Sequence, residues 1–398
     1  MRRLLVGVLL ACAAAAPAPA PVVSPVALEA RTDSGEPVLS TSSDGRLVLS
    51  WMEPAGGNRH ALRWCRWQGE GWGPPSTALA LDRLFVNWAD VPAVVPTQGD
   101  TLIAYVLRRT GSGPYDYAVL VSCSSDDGAH WTAPRPLHGG SKRGEHGFVS
   151  VVPAPGGADV VWLDGRAMVT DPDEGAMALR HAFVSADGTV GAETRLDART
   201  CECCRTGLAR TRDGLVAVYR DRSERELRDV AAVRLLEGDW SDPSPVAHDG
   251  WRTPACPVNG PVLVAAGDTL FVAWSTVVAD TPHVHAAWSL DGGRSYGPAL
   301  RLDEGAPTGR SCVVLLPGGE AVLAWIEGER ADARLRVRRV RPDGSAAEPL
   351  TVTTTGAARR AGFPRMARTG DALVFAWTEA GPPTRVRSAR LPLAALPR

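Results

Sequence analysis

The sequence predicts an all-β, seven-bladed propeller of four-stranded antiparallel blades, and two recurring features predict it. The first is an aromatic residue near the end of a short apolar run: Trp51, Tyr105, Trp162, Tyr219, Trp274, Trp325 and Trp377, at intervals of 54, 57, 57, 55, 51 and 52 residues. The second is a tight-turn pair shortly before each aromatic: Asp44-Gly45, Gly99-Asp100, Gly156-Gly157, Asp213-Gly214, Gly267-Asp268, Gly318-Gly319 and Gly370-Asp371. Such pairs supply the positive φ angles of a two-residue hairpin. A supersecondary unit recurring about every 50 residues marks a propeller or a solenoid. At 398 residues the chain has room for two or three average domains, but the unbroken repeat argues for one closed ring.

The elements follow in chain order. Arg2-Arg3 and the apolar run from Leu4 to Leu10 read as a targeting segment, too short to span a bilayer. Leu9-Leu10-Ala11-Cys12 resembles a bacterial lipobox in which Cys12 is lipidated. Cleavage after Ala18-Pro19-Ala20 is the other reading. On either, residues 1–21 are leader and Ala/Pro-rich tether, and residues 22–398 form the propeller domain. The mature protein is then expected in the cell envelope or outside the cell, touching a membrane only through a lipid at Cys12. A net charge of −1 gives no basis for nucleic-acid binding.

One blade can be read through residues 255–303. Residues 261–264 form an inner strand, Gly267-Asp268 a turn, 270–274 and 283–288 two further strands, 289–296 a second turn, and 298–302 the outer strand. Sequential strands pair as a meander. Outer strands carry Pro74, Pro75, Pro134, Pro136, Pro243, Pro245, Pro298 and Pro349, as suits an edge that cannot donate to a ladder. The last repeat has no outer strand. Ser24-Pro25-Val26-Ala27 looks like Ser244-Pro245-Val246-Ala247, so residues 24–30 are expected to complete blade seven and close the ring.

Ser124, Asp126, Gly128 and Trp131 fit the pattern S-x-D-x-G-x-x-W, and Ser289, Asp291, Gly293 and Tyr296 fit it with Tyr for Trp. Weaker forms occur at Trp72, Asp187, Trp240 and Asp343. The pattern resembles the Asp-box, or bacterial neuraminidase repeat, of sialidase-like β-propellers. The Cys-rich stretch described below is similar to one in an exported bacterial branch of that group. The resemblance implies an exported propeller that binds or hydrolyses glycans, in the manner of an exo-sialidase-like glycoside hydrolase. The alternative is a non-catalytic propeller that binds a ligand or a protein. Sialidases of this type have six blades, which makes six the alternative to seven, and their Arg-Ile-Pro signature is absent here. Their three-arginine clamp and Tyr–Glu pair have no evident counterpart in the sequence; Tyr115 and Tyr117 are tyrosines in a loop. The box itself is structural: its Asp accepts backbone N–H bonds and its Gly takes the strained angle.

In a meander, the first-to-second and third-to-fourth strand turns share one face. The second-to-third loops and the blade-to-blade connections share the other, here called the connection face. Binding residues are expected there. Two residues after strand-two aromatics come Glu53, Asp164, Asp221, Glu327 and Glu379, with Arg166, Arg220 and Arg222 close by. The connections add Trp88, Asp90, Glu145, His146, Arg205, Arg310, Arg359 and Arg360. Arginine grips carboxylate through a planar fork, and paired carboxylates do glycosidic acid–base work. Asp164, Arg166, Asp221 and Arg222 are therefore the expected catalytic group. Glu53, Asp90, Arg220, Arg310 and Glu327 are expected to bind a glycan or another small anionic or polyhydroxylated ligand. The competing reading pairs these charges with one another across blade seams. The long acidic stretch 163–177 either shields the channel mouth or is a plain insertion.

Cys201, Cys203 and Cys204 enter blade four and Cys256 enters blade five, so the four sulfurs are expected to form one local unit. Disulfides, a soft metal ion such as zinc or copper(I), and a redox-active thiol pair are three open readings. Vicinal Cys203 and Cys204 do not readily bond each other. In the disulfide reading Cys256 therefore takes one of them and Cys201 takes the other.

Overall fold

The computed structural model describes residues 22–140, 143–171, 173 and 175–398. The leader, the tether and Cys12 lie outside the described residues.

Seven antiparallel sheets follow one another along the chain. Blade 1 is built from Gly35–Thr41, Leu47–Pro54, Arg59–Arg66 and Ser76–Asp82. Blades 2 to 6 occupy residues 93–136, 146–197, 207–245, 262–301 and 307–354. Blade 7 takes Arg365–Thr369, Ala372–Glu379 and Arg385–Pro392, and its fourth strand is Ser24–Val26 from the N-terminus. Ser24, Pro25 and Val26 stand opposite Arg390, Ala389 and Ser388. The ring closes as the sequence indicated, with seven blades and not six. Outer strands are short, such as Arg135–Pro136, Ser244–Pro245 and Leu300–Arg301. Prolines within them limit ladder growth.

The core lies between blades. Trp51, Trp162, Trp274 and Trp325 are fully buried. Trp162 shares its cluster with Ile103, Leu107, Val119 and Cys123 of the preceding blade. Each strand two runs past its aromatic, so the acid two residues on is still in the strand in four blades: Glu53, Asp164, Glu327 and Glu379. With a two-residue period, such an acid lies on the same side as its aromatic. The stretch 163–177 begins with a short helix, Arg166–Thr170.

The two Ser-x-Asp-x-Gly turns share one hydrogen-bond pattern. Asp126 Oδ1 accepts from His130 N–H at 2.9 Å and Gly128 N–H bonds Ser124 Oγ at 2.8 Å. Asp291 Oδ1 accepts from Ser295 N–H at 2.9 Å and Gly293 N–H bonds Ser289 Oγ at 2.9 Å. Gly128 and Gly293 sit at φ 83° and 82°, the left-handed region that favours glycine. Asp291→Ala is expected to cost about 1 kcal/mol in a denaturant titration. It should leave ligand binding intact, because the turn lies on the face opposite the connections.

Candidate functional site

The inner strands surround a central chamber of about 270 Å³. Most of its lining is aliphatic, with Ser40 and Ser150 from blades 1 and 3. The charged groups lining it are Asp90, Arg205 and Arg365, beside Tyr105 and the thiol of Cys312.

Arg365 opens the inner strand of blade 7. It is 8% exposed, and its Nε donates to the Pro37 carbonyl at 3.0 Å across the seam to blade 1. Burial, and then the nearby Arg205, push its pKa well below the usual arginine range. Arg205 follows the cysteine cluster directly. Its guanidinium lies over the Phe363 ring at 4.9 Å, and Nη1 is buried with no hydrogen-bond partner. The backbone at Arg205 packs against Gly260, where a side chain would collide with it. Among the described residues, neither arginine has an ion-pair partner.

Asp90, 1% exposed, is the acid that acts electrostatically on Arg205. Its Oδ1 accepts from Phe148 N–H at 2.7 Å. Its Oδ2 lies 3.0 Å from the Tyr117 hydroxyl, which lies 2.8 Å from Glu145 Oε1. One phenol hydrogen can serve only one of these acids. The other acid must carry a proton of its own and donate it to the phenol oxygen. Burial pushes both acids up to about 7. Burial and the two carboxylates push the Tyr117 phenol well above its ordinary value. Gly147 is required here, since any side chain would strike Asp90. Glu145 is partly exposed at the connection face, so Asp90, Tyr117 and Glu145 form a proton-sharing path from surface to chamber.

Trp88 and Phe363, the latter under the Arg205 guanidinium, stack with ring centroids 6.0 Å apart. They come from the connections between blades 1 and 2 and between blades 6 and 7. Arg310 lies over Trp88 at 5.1 Å.

Most of the charges singled out in the sequence are neutralised locally. Glu53 accepts from Trp51 Nε1 at 3.0 Å and pairs with Arg63 at 3.1 Å. Asp164 accepts from Trp162 Nε1 at 3.0 Å and takes the Arg166 fork at 2.7 and 2.6 Å. Burial raises its pKa, but His146 and Arg166 outweigh this and hold it well below the usual range. Arg222 pairs with Glu226 at 2.6 Å and with Glu202. Asp221 is pushed up to about 6, chiefly by burial. Arg220 donates to the carbonyls of Arg228, Asn259 and Ser275, and Arg310 to those of Ala357, Ala358 and Gly362. Glu327 accepts the Glu304 and Gly305 N–H groups at 2.8 and 3.1 Å. Of the residues expected to be catalytic or to bind ligand, Asp90 lines the chamber. Arg365 and Tyr105 were not singled out as site residues, Arg205 and Glu145 appeared only as charges carried by connections, and Tyr117 only as a loop tyrosine.

The four sulfurs are joined as Cys201–Cys204 and Cys203–Cys256, the disulfide reading of the cluster. The second bridge ties the connection that carries Arg205 to the one that carries Asn259. Cys65, Cys123 and Cys312 are free and buried.

The shared proton predicts a pH dependence. An acid raised from 3.8 to about 7 holds its proton more tightly in the folded state. Its stabilisation is complete below about pH 4 and is lost as pH rises through about 7. Asn at position 90 can accept from Phe148 and donate to Tyr117 without titrating. The melting temperature of Asp90→Asn should therefore gain on wild type between about pH 5 and pH 8. A gap independent of pH would remove the shared-proton assignment.

No protein-family model matches the chain, and no curated protein sequence matches it. Among solved structures, it is similar to a protein of unknown function from Dyadobacter fermentans DSM 18053, with 14% identity over 94% of this chain and 100% of that one, at a TM-score of 0.55. It is also similar to the Hadza microbial sialidase Hz136, with 14% identity over 88% of this chain and 78% of that one, at a TM-score of 0.50. The sialidase of Trypanosoma rangeli in complex with sialic acid shares 12% identity over 94% of this chain and 59% of its own, at a TM-score of 0.50. Likenesses at this level of identity show a sialidase-like propeller fold.

Proposed function

We propose that the protein is a glycan-binding propeller that takes the carboxylate of an acidic sugar at Arg205 and Arg365. The observation that carries this reading is two arginines facing one chamber with no ion-pair partner among the described residues, beside an acid that burial favours in its neutral form. That leaves a surplus of positive charge in a low-dielectric space, which an anion would offset. A volume of about 270 Å³, just under the range of about 300–1,000 Å³ usual for small-molecule pockets, suits a ligand as small as one sugar ring. The predicted catalytic group, Asp164, Arg166, Asp221 and Arg222, we assign to holding the blades in register. Export agrees with the two disulfides, which persist in oxidising compartments.

Hydrolysis is the second reading, favoured by the acid pair Asp90 and Glu145 with pKa values near neutrality, as acid–base catalysis needs. Tyr117 is a poor candidate nucleophile, because both neighbouring acids oppose its ionisation. Titration calorimetry with N-acetylneuraminate, glucuronate and neutral glucose tests binding, and turnover of the matching aryl glycosides tests hydrolysis. Equal affinity for neutral and acidic sugars would sink the proposed carboxylate site.

A further inference from the structure

A second pocket, of about 260 Å³, lies where blade 7 meets blade 1. It is built on a bulge that recurs around the ring. Gly35 pairs with Met52 and Val38 with Ser50, Gly147 with Leu163 and Ser150 with Val161, and Gly309 with Ile326 and Cys312 with Ala324. In each blade the pairing slips between these two points, and the glycine stands opposite the residue that follows the strand-two tryptophan. The residue after each glycine has a left-handed backbone: Glu36, Phe148 and Arg310, at φ 55°, 52° and 55°. A side chain in that conformation carries strain, and a bulge re-aims it.

The three side chains end differently. Phe148 is buried with Ala89 and Phe363. Arg310 donates to the carbonyls of Ala357, Ala358 and Gly362. The Glu36 carboxyl has no hydrogen bond or ion pair among the described residues, and burial pushes it up to about 7. Thr378, 2% exposed, lines the same pocket, and its Oγ1 is buried with no hydrogen-bond partner. Trp88 lines it too. Phe363 and Arg310 already lie against that ring, but its indole N–H has no acceptor among the described residues. Buried polar groups without partners are costly, and a strained bulge that carries one is unexplained by the fold alone.

We propose that this pocket binds an uncharged sugar ring through Glu36 and Thr378, the ring joined in the glycan to the acidic sugar in the chamber. The inference rests on that reading of the chamber. A sugar hydroxyl both donates and accepts, so it can satisfy a carboxyl and a threonine hydroxyl together. Below about pH 7 the Glu36 carboxyl keeps its proton and can do both as well. A second acidic ring is the poorer fit. Asp33 and Arg360, both exposed, offset each other at this pocket, whereas Arg205 and Arg365 have no ion-pair partner among the described residues. The two spaces adjoin along two segments of chain. Glu36 lines the pocket and Val38 the chamber; Trp88 lines the pocket and Ala89 the chamber. Two residues of strand span about 7 Å, so one glycan can enter both.

The test is titration calorimetry on the full chain with N-acetylneuraminate and glucuronate, each free and each joined to galactose. Wild type should bind the joined form of its acidic sugar at least about tenfold more tightly than the free form. Glu36→Ala and Thr378→Val should each remove most of that gain and leave affinity for the free acid unchanged. Glu36→Gln, which still donates and accepts, should keep it. Melting temperature is the second readout. The Thr378 hydroxyl has no partner to lose, so Thr378→Val should melt no lower than wild type, and it decides the matter should Glu36→Ala fail to fold. If neither free acid binds, the chamber reading falls and this one with it. A free acid that binds with no gain from the joined ring, or a gain undiminished in Glu36→Ala and Thr378→Val, would overturn the pocket alone.

Discussion

Deleting residues 22–31 is expected to destabilise the whole ring by about 3 kcal/mol or more, seen as a fall of at least about 4 °C in melting temperature. The segment makes the fourth strand of blade 7, where Ser24, Pro25 and Val26 pair with Arg390, Ala389 and Ser388. Val23 packs on the cluster shared by blades 6 and 7. Leu28 and buried Ala30 pack with Trp51, Ala376 and Val386, across the seam between blades 7 and 1. Its loss removes a ladder and three apolar side chains at the one place where the two chain ends meet. It also bares the edge of Arg385–Pro392, an exposed template for pairing with other chains. Increased aggregation should accompany the lower transition. A chain beginning at residue 22 is the control, and calorimetry is the measurement. Equal melting temperatures for the two would mean that the other six blades hold the ring without this clasp.

Blade number, the clasp and the two faces were legible because they depend on local signals. A turn pair and an aromatic lie within one hairpin, and Ser24-Pro25-Val26-Ala27 looks like an outer strand whatever it pairs with. The fate of the charges depends on register across strands. Arg63 stands opposite Trp51, and Arg180 opposite Trp162. Each can therefore reach toward the acid two residues beyond the tryptophan. Counting outward from the hairpin turn would have exposed this Trp-x-acid pattern facing an arginine, so the signal was present but needed the register. The chamber had no such signal. Arg205 and Arg365 come from blades 4 and 7, while Asp90, Tyr117 and Glu145 come from three segments in and around blade 2. Gly147 and Gly260 look like ordinary loop glycines until Asp90 and Arg205 are found packed against them.

Arg365→Met and Arg205→Met are each expected to weaken acidic-sugar binding by about 30- to 100-fold, since a charge-assisted bond to a buried carboxylate contributes about 2–3 kcal/mol. Neutral-sugar binding should change little. Stability is the second readout. Among the described residues Arg365 is buried with one hydrogen bond, to Pro37, and no acid partner, so replacing it with an apolar chain of similar length should leave the fold no less stable. Loss of binding without loss of stability marks a residue kept for its ligand. Arg222→Met is the contrast. That guanidinium is already neutralised by Glu226 and Glu202, so its removal should leave affinity intact. The acids supply an independent check of sign. Asp90 and Glu145 lose their protons as pH passes about 7. Negative charge then accumulates beside the bound carboxylate, which is itself ionised throughout that range. Affinity for the acidic sugar should therefore fall with rising pH, and Asp90→Asn should flatten the fall. A wild-type affinity that rises with pH would place the ligand away from these acids, and with it away from Arg205.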